Sequence, residues 1–134
     1  KNHPGGKLGA QLSRVADLMH KGEKVPTVEA DTPMSDVLLS MTSKGFGITG
    51  VLKGGILIGV ISDGDLRRHM GNLMEKTAGE IATLDPVTIT PELFAAQALA
   101  LLNEKKISAL MVVDEAKRPV GIVHIHDLLR AGVA

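Results

Sequence analysis

The chain has 134 residues, no cysteine, a formal net charge of zero, and two phenylalanines with no tyrosine or tryptophan. Zero net charge argues against the basic surface of a nucleic-acid-binding protein, and the lack of cysteine excludes disulfides and thiolate chemistry. No apolar run approaches the roughly 20 residues of a membrane-spanning helix and no signal peptide is visible, so we expect a folded protein of the cytoplasm.

The first half of the chain alternates helix and strand patterns. Apolar residues at spacings i, i+3, i+4 and i+7 predict helices, and short runs rich in Val and Ile predict strands. In chain order we expect a helix at 12–19, a strand at 25–28, a helix at 32–45, strands at 48–52 and 56–61, and a helix from 63 to about 70. Thr32-Pro33 should begin the long helix, whose buried stripe is predicted to be Met34, Val37, Leu38 and Met41.

The second half repeats this order of elements. We expect a helical segment at 77–82, a strand at 87–89, a long helix, strands at 107–113 and 120–123, and a last helix from about 126 to 131. Thr90-Pro91-Glu92 is interpreted as the start of the long helix, by analogy with Thr32-Pro33. The predicted buried stripe of this helix is Phe94, Ala98, Leu101 and Leu102.

An internal repeat relates the two halves. Aligning Val28 with Ile89, and Gly59 with Gly121, gives an offset of 61 to 62 residues. The predicted fold is α/β (α+β), a tandem β-α-β-β-α repeat with units at 13–73 and 74–134. Because one unit has little surface to bury alone, we expect the two sheets to pack together with pseudo-two-fold symmetry.

Residues 1–12 are predicted to be an extended linker, because they contain Pro4 and several glycines. The chain begins at Lys1 rather than Met, so we expect it to be a piece of a longer protein. His3 lies in this linker, outside the repeat.

Polar residues follow the last strand of each unit, at the start of a predicted helix. Hydroxyl, carboxylate, guanidinium and imidazole groups in this position are suited to binding an anionic or hydroxylated small molecule. The candidates are Ser62, Asp65, Arg67 and Arg68 in the first unit, and His124, His126 and Asp127 in the second.

A structural role is an alternative explanation for each candidate. Ser62 and Asp65 could simply cap the following helix, and the adjacent arginines could form a solvated face, with at most one turned toward a given cleft. The two histidines and Asp127 could form part of a metal site, although no further His lies nearby in sequence and we expect no metal. His124 in place of Ser62 predicts that the two clefts differ and that one ligand binds per chain.

The repeat resembles a CBS-domain pair, a regulatory module whose return strand ends Gly-hydrophobic-hydrophobic-Ser/Thr-x-x-Asp. Residues 59–65 fit this pattern fully, whereas 121–127 depart from it at His124. The chain further resembles the C-terminal part of D-arabinose 5-phosphate isomerases in three stretches: His3-Pro4-Gly5-Gly6-Lys7-Leu8-Gly9, 62–68 and 124–132. Those enzymes carry an N-terminal sugar-isomerase (SIS) domain and supply arabinose 5-phosphate for Kdo and lipopolysaccharide synthesis.

The resemblance implies roles for particular residues. Asp65 would accept hydrogen bonds from ribose hydroxyls, and Ser62 would donate to phosphate or sugar. Main-chain groups at the start of the second strand would approach a base or sugar, although Gly47 could equally be a helix C-cap. These candidates are Gly47, Ile48 and Thr49 in the first unit, with Ser108 and Ala109 in the second. His3 would adjoin the active site of the isomerase domain, and alone it lacks a partner for acid–base catalysis.

We therefore expect a module that binds a nucleotide or nucleotide-sugar, such as CMP-Kdo, as a feedback effector of an attached isomerase. It should need no cofactor, should dimerise as CBS pairs do, and should belong to a tetrameric parent. One alternative is an adenine-nucleotide sensor from another CBS protein that responds to AMP or ATP. A second alternative is a purely structural dimerisation module. A third is a stand-alone enzyme that uses His124, His126 and Asp127.

Overall fold

The structure is built around two β-hairpins, one in each half of the chain. The computed structural model describes residues 9, 10 and 12–133. The strands are β1 (Thr27–Glu29), β2 (Ile48–Lys53), β3 (Ile56–Ser62), β4 (Thr83–Leu84), β5 (Thr88–Ile89), β6 (Ala109–Val113) and β7 (Pro119–His124). The helices are α1 (Val15–Leu18), α2 (Met34–Lys44), α3 (Asp63–Arg68), α4 (Ala78–Ile81), α5 (Ala95–Lys105) and α6 (Ile125–Arg130), with 3-10 segments at Gly22–Lys24 and Met70–Glu75.

The strand pairing confirms the predicted α/β repeat. β1 lies parallel to β2, which pairs antiparallel with β3; in the second half β5, β6 and β7 pair in the same way. The long helices α2 and α5 each have 11 residues and connect the parallel strands. Each hairpin also has a register shift, between Val51 and Leu52 and between Val112 and Val113, at matching positions of the repeat.

The short segment that precedes each repeat packs against the opposite half. After α4, β4 pairs with β3 of the first sheet, and after α1, His20 forms a bridge with Ile122 of β7. Ile81 of α4 belongs to the core of the first half, and Val15 of α1 belongs to the core of the second. Each sheet is thus completed by residues from the other half of the chain.

Close backbone crossings explain the glycine near the middle of each return strand. A Cβ atom on Gly59 would lie 2.7 Å from the carbonyl oxygen of Thr83 in β4. A Cβ atom on Gly121 would collide with the side chain of Met19 and would lie 3.1 Å from the carbonyl oxygen of His20. Glycine at both positions is therefore required by the incoming segment from the other repeat.

The two sheets face each other through a third apolar cluster, which confirms the predicted packing. Leu57 from β3 joins Met111 and Ile122 from the second sheet in this cluster. The main-chain N–H of Leu57 also donates to the carbonyl of Lys117 in the second hairpin at 2.9 Å. Burial of these aliphatic side chains is the main force that holds the halves together.

The prediction for the start of α5 was wrong. This helix begins at Ala95 rather than at Thr90, and Phe94 is its N-cap residue. The carbonyls of Pro91 and Leu93 accept from the N–H groups of α1, so this stretch forms a turn that receives the incoming segment.

The two long helices begin at positions related by the same 61-residue offset as the strands, so Pro33, the N-cap of α2, matches Phe94 rather than Pro91. Phe94 is only partly buried and lies beneath the guanidinium of Arg14, at 3.9 Å. The fully buried positions of α5 are Ala95, Ala98, Leu99 and Leu102.

Candidate functional site

The first corner lies where β3 ends and α3 begins, and its centre is the carboxylate of Asp65. Oδ2 accepts from the main-chain N–H of Ser62 at 2.9 Å and from its hydroxyl at 3.2 Å. Oδ1 accepts from Arg68 at 2.5 Å and from the hydroxyl of Thr83 at 2.6 Å. Asp65 is 3% exposed, so four donors occupy the four acceptor positions of a buried carboxylate.

These contacts keep Asp65 ionised. Burial raises the pKa of this carboxyl, but hydrogen bonds from Thr83, from Ser62 and from Arg68 together lower its pKa below the ordinary value. The hydrogen bond from the N–H of Ser62 to Asp65, three residues ahead, completes a capping box at the start of α3. The capping role proposed as an alternative is therefore real.

The second corner lies where β7 ends and α6 begins, and its centre is Asp127. The main-chain N–H of His124 donates to Oδ2 at 2.9 Å, and Arg130 donates to Oδ1 at 3.0 Å. Nε2 of His20 lies 3.0 Å from both carboxylate oxygens. Burial raises the pKa of Asp127, but the bonds from His124 and His20 and the charge of Arg130 lower its pKa below the ordinary value overall.

His124 caps α6 through its side chain. Its Nδ1 accepts from the main-chain N–H of His126 at 3.1 Å, so this ring nitrogen carries no proton and the imidazole is neutral in this geometry. The two imidazole rings lie 4.6 Å apart between centroids. Partial burial and the neighbouring His126 lower the pKa of His124, outweighing the opposing effect of Asp127. The ring therefore acts as an acceptor in the cap.

The two corners are related group by group. Ser62 matches His124, and Asp65 matches Asp127, as the sequence indicates. Arg68 and Arg130 each bridge to the carboxylate three residues earlier. Thr83 and His20, which follow α4 and α1, supply the donor from the opposite repeat. Each half of the repeat pair thus supplies a hydrogen-bond donor to the corner of the other half.

A family model for the CBS domain matches the chain twice, at residues 15–72 and 78–134. This chain belongs to the CBS-domain family. It is 44% identical to the arabinose 5-phosphate isomerase KdsD of Pseudomonas aeruginosa and 38% identical to KdsD of Escherichia coli strain K12, over 98% of its length in both cases. It spans 42% of the length of each of these relatives.

A solved CBS pair has a similar structure. The crystal structure of CBSX2 in complex with AMP superposes with a TM-score of 0.79 at 27% identity, covering 89% of this chain and 95% of that one. The chain therefore has the fold of a CBS pair. We call the packing of each short segment on the opposite half the exchanged arrangement.

The two adjacent arginines of this CBS pair differ in position. Arg68 bonds to Asp65, yet its side chain is 63% exposed, so the guanidinium lies at the protein surface. Arg67 is exposed, and none of the hydrogen bonds found among the described residues involves its side chain. That at most one of them faces a given cleft stays a prediction.

The predicted main-chain contacts lie beside the corners. Ile48 is opposite Ser62 in the first hairpin, and Ala109 is opposite His124 in the second. The carbonyl of Ser108 accepts from the N–H of Ile125 at 2.8 Å. Thr49 is fully buried, and its hydroxyl donates to the carbonyl of Gly50 at 3.2 Å, so its side chain points into the protein.

Gly47 does not cap α2, because the C-cap residue of that helix is Gly45. α2 ends with Gly45 in the left-handed conformation, at φ 78°. Gly47 has its own positive φ of 77° directly before β2. Between these glycines, the ring of Phe46 lies 5.0 Å from that of His20, which brings the start of β2 against the second corner.

Sequence reasoning missed four residues that the corners use: His20, Phe46, Thr83 and Arg130. Arg130 recurs in register with Arg68, so the repeat alone could have indicated it. The short helices α1 and α4 begin 63 residues apart, and the same offset pairs His20 with Thr83. No sequence signal shows that these two contact the opposite repeat.

His3 lies outside the described residues. In the part of the chain that the structure describes, no group of three or more His, Cys, Asp or Glu side chains is placed to hold a metal ion. No helix among these residues is long and apolar enough to cross a membrane.

A cavity of about 290 Å³ lies away from the predicted residues, between the start of β3 and the second hairpin. Its walls include Leu57, Asp85, Thr88 and Lys117. A second, of about 420 Å³, lies between the turn before α5 and the same hairpin.

Proposed function

We propose that this chain is the regulatory module of a longer arabinose 5-phosphate isomerase, and that it binds a nucleotide or nucleotide-sugar at its corners. The proposal rests on the second corner, where the ring of His20 and an arginine that is 72% exposed contact an ionised carboxylate, and where the rings of His124 and His126 lie 4.6 Å apart between centroids. The identity to KdsD proteins over 98% of the chain supports the assignment to that enzyme. The attached domain would be an SIS isomerase.

CMP-Kdo is the ligand whose chemistry suits this corner best. Its ribose offers hydroxyl donors for Asp127, and its phosphate and carboxylate are anions that Arg130, His124 and His126 can bind by charge-assisted hydrogen bonds. Because this compound lies downstream of arabinose 5-phosphate, its binding would act as feedback. A ligand that favours one arrangement of the halves would shift the activity of the attached domain by its difference in affinity.

Isothermal titration calorimetry of the 134-residue chain with CMP-Kdo, CMP, AMP and ATP tests this proposal. We expect saturable heat with CMP-Kdo and weaker binding of CMP, because CMP lacks the sugar carboxylate. Asp127→Asn should weaken both ligands at least tenfold, whereas Asp36→Asn, an exposed change on α2, should leave them unaltered. Absence of heat with CMP-Kdo at millimolar concentration would reject the proposed ligand.

An adenine-nucleotide sensor is the second candidate, because the similar CBSX2 structure contains AMP. It predicts that AMP or ATP binds more tightly than CMP in the same titrations. In the full-length protein, isomerase activity measured with and without the tighter ligand would give the direction of regulation. Size-exclusion chromatography with light scattering tests the proposed dimer of the pair and tetramer of the parent.

A further inference from the structure

His20 and Thr83 occupy matching positions, but they bond to the carboxylates of their corners in different ways. A single ring nitrogen, Nε2, lies 3.0 Å from both Oδ1 and Oδ2 of Asp127. One N–H therefore serves two oxygens, which gives each a weaker bond than a donor of its own. In the first corner, the hydroxyl of Thr83 bonds to Oδ1 of Asp65 alone, at 2.6 Å.

The two carboxylates consequently differ in what a ligand could replace. Asp65 has four separate donors and a side chain that is 4% exposed, so an incoming hydroxyl would break one bond for each that it makes. The side chain of Asp127 is 11% exposed, and that of His20 is 30% exposed. The ring of His20 has solvent on one side and the ring of Phe46 near it, 5.0 Å between centroids.

A vicinal diol has the donor geometry that this carboxylate lacks. Two adjacent hydroxyls can give one hydrogen bond to each carboxylate oxygen, replacing a single shared N–H with two separate donors. The exchange leaves the bonds from the N–H of His124 and from Arg130 in place. It also frees the ring of His20 to face water, where its nitrogen finds a new partner.

We propose that His20 is an internal competitor for diol-bearing ligands at Asp127, and that it sets their affinity for the second corner. This inference rests on the proposed function, since it assigns the diol of a nucleotide to that carboxylate. Ligand binding displaces His20 from Asp127 and from Phe46.

Calorimetry with CMP and with its 2′,3′-dideoxy analogue tests the competition. His20→Leu keeps apolar bulk but removes the donor, and we expect it to bind CMP about tenfold more tightly than the unmodified chain does. Dideoxy-CMP should bind both proteins equally. His20→Gln restores an N–H donor near the position of Nε2 and should return CMP affinity to that of the unmodified chain.

The outcomes separate this inference from the proposed function. Unchanged or weaker CMP binding by His20→Leu, when the unmodified chain gives measurable heat, overturns the competitor role alone. An equal gain for CMP and dideoxy-CMP overturns the diol exchange. No heat from any variant at millimolar CMP and CMP-Kdo overturns both.

A measurement on the unmodified chain tests the displacement of His20 even if the His20→Leu variant does not fold. The histidine ring resonances can be followed by NMR while CMP is added, with His20→Gln used to assign the His20 signal. We expect the His20 signal to shift with CMP and to stay unchanged with dideoxy-CMP at the same concentration. A His20 signal that ignores saturating CMP contradicts the displacement.

Discussion

Thr83 donates its hydroxyl to the buried carboxylate of Asp65 at 2.6 Å, although the two residues belong to different repeats. Thr83 lies in β4, which pairs with the strand that ends at Ser62. The bond thus joins the incoming segment of the second repeat to the helix cap of the first. The first corner thus takes hydrogen-bond donors from both repeats.

Thr83→Val should destabilise the protein by about 1–3 kcal/mol, because it removes a donor from a buried, ionised acceptor. Urea unfolding followed by circular dichroism measures the loss. Thr83→Ser keeps the hydroxyl and should cost less than half as much. Equal losses for the two variants would mean that packing of the methyl group, rather than the hydrogen bond, stabilises the corner.

Gly59→Ala and Gly121→Ala should each destabilise the protein by about 1–3 kcal/mol, since the added Cβ meets the backbone or side chain of the crossing segment. Gly71→Ala is the matched control, because a Cβ there has no atom within 4 Å and its φ is not positive. Thermal unfolding should show lower midpoints for the first two variants and no decrease for the third. Unaltered midpoints for all three would contradict the close crossings.

Acid should destabilise the protein through both corner carboxylates. The pKa of Asp65 and that of Asp127 lie below the ordinary value of 3.8, so each group stabilises the fold above that value. This stabilisation is lost as the pH falls through the lower folded pKa. Asp65→Asn should therefore be less stable than the unmodified chain at pH 7, with a smaller further loss between about pH 5 and pH 2.

Urea titrations across that pH range measure both effects. Asp63→Asn is the control because Asp63 is exposed in the same helical turn, and it should leave the pH profile almost unaltered. An Asp65→Asn profile parallel to that of the unmodified chain would show that Asp65 is not the titrating group.

His124 should make the protein less stable in mild acid. Its pKa lies below the ordinary value of 6.5, so the folded state prefers the neutral ring and binds fewer protons than the unfolded state just below that pH. The contribution of His124 to stability is therefore fully present above about pH 6.5 and is lost as the pH decreases below that value. Four charged or titratable groups also act on the pKa of this ring, and the variants below leave them unchanged: His20, His126, Asp127 and Arg130.

His124→Asn keeps a side-chain acceptor for the helix cap and should reduce the difference in unfolding free energy between pH 7.5 and 5.5. His124→Ala should remove the acceptor and cost about 1 kcal/mol at pH 7.5. An unaltered pH difference in His124→Asn would assign the effect to another histidine.

The repeat could be predicted from the sequence because its signals are local. Alternation of apolar residues and the Gly-x-x-polar-x-x-Asp ending recur at a nearly constant offset, and each reflects pairing or capping within a few residues. The start of α5 was misplaced by the same local reasoning. Thr90-Pro91 has the composition of a helix start, but the carbonyl of Pro91 accepts from the N–H of Ala16 in α1, which is far away in the chain.

Which repeat completes which corner was decided only in the folded protein. His20 lies 107 residues from Asp127, and Thr83 lies 18 residues from Asp65 across a repeat boundary. A periodic sequence is equally compatible with each short segment packing on its own repeat or on the other. Burial of Val15 and Ile81 in the opposite cores selects the exchanged arrangement, and the glycines at 59 and 121 make room for it. Local pattern thus specifies the elements, and long-range packing specifies the corners.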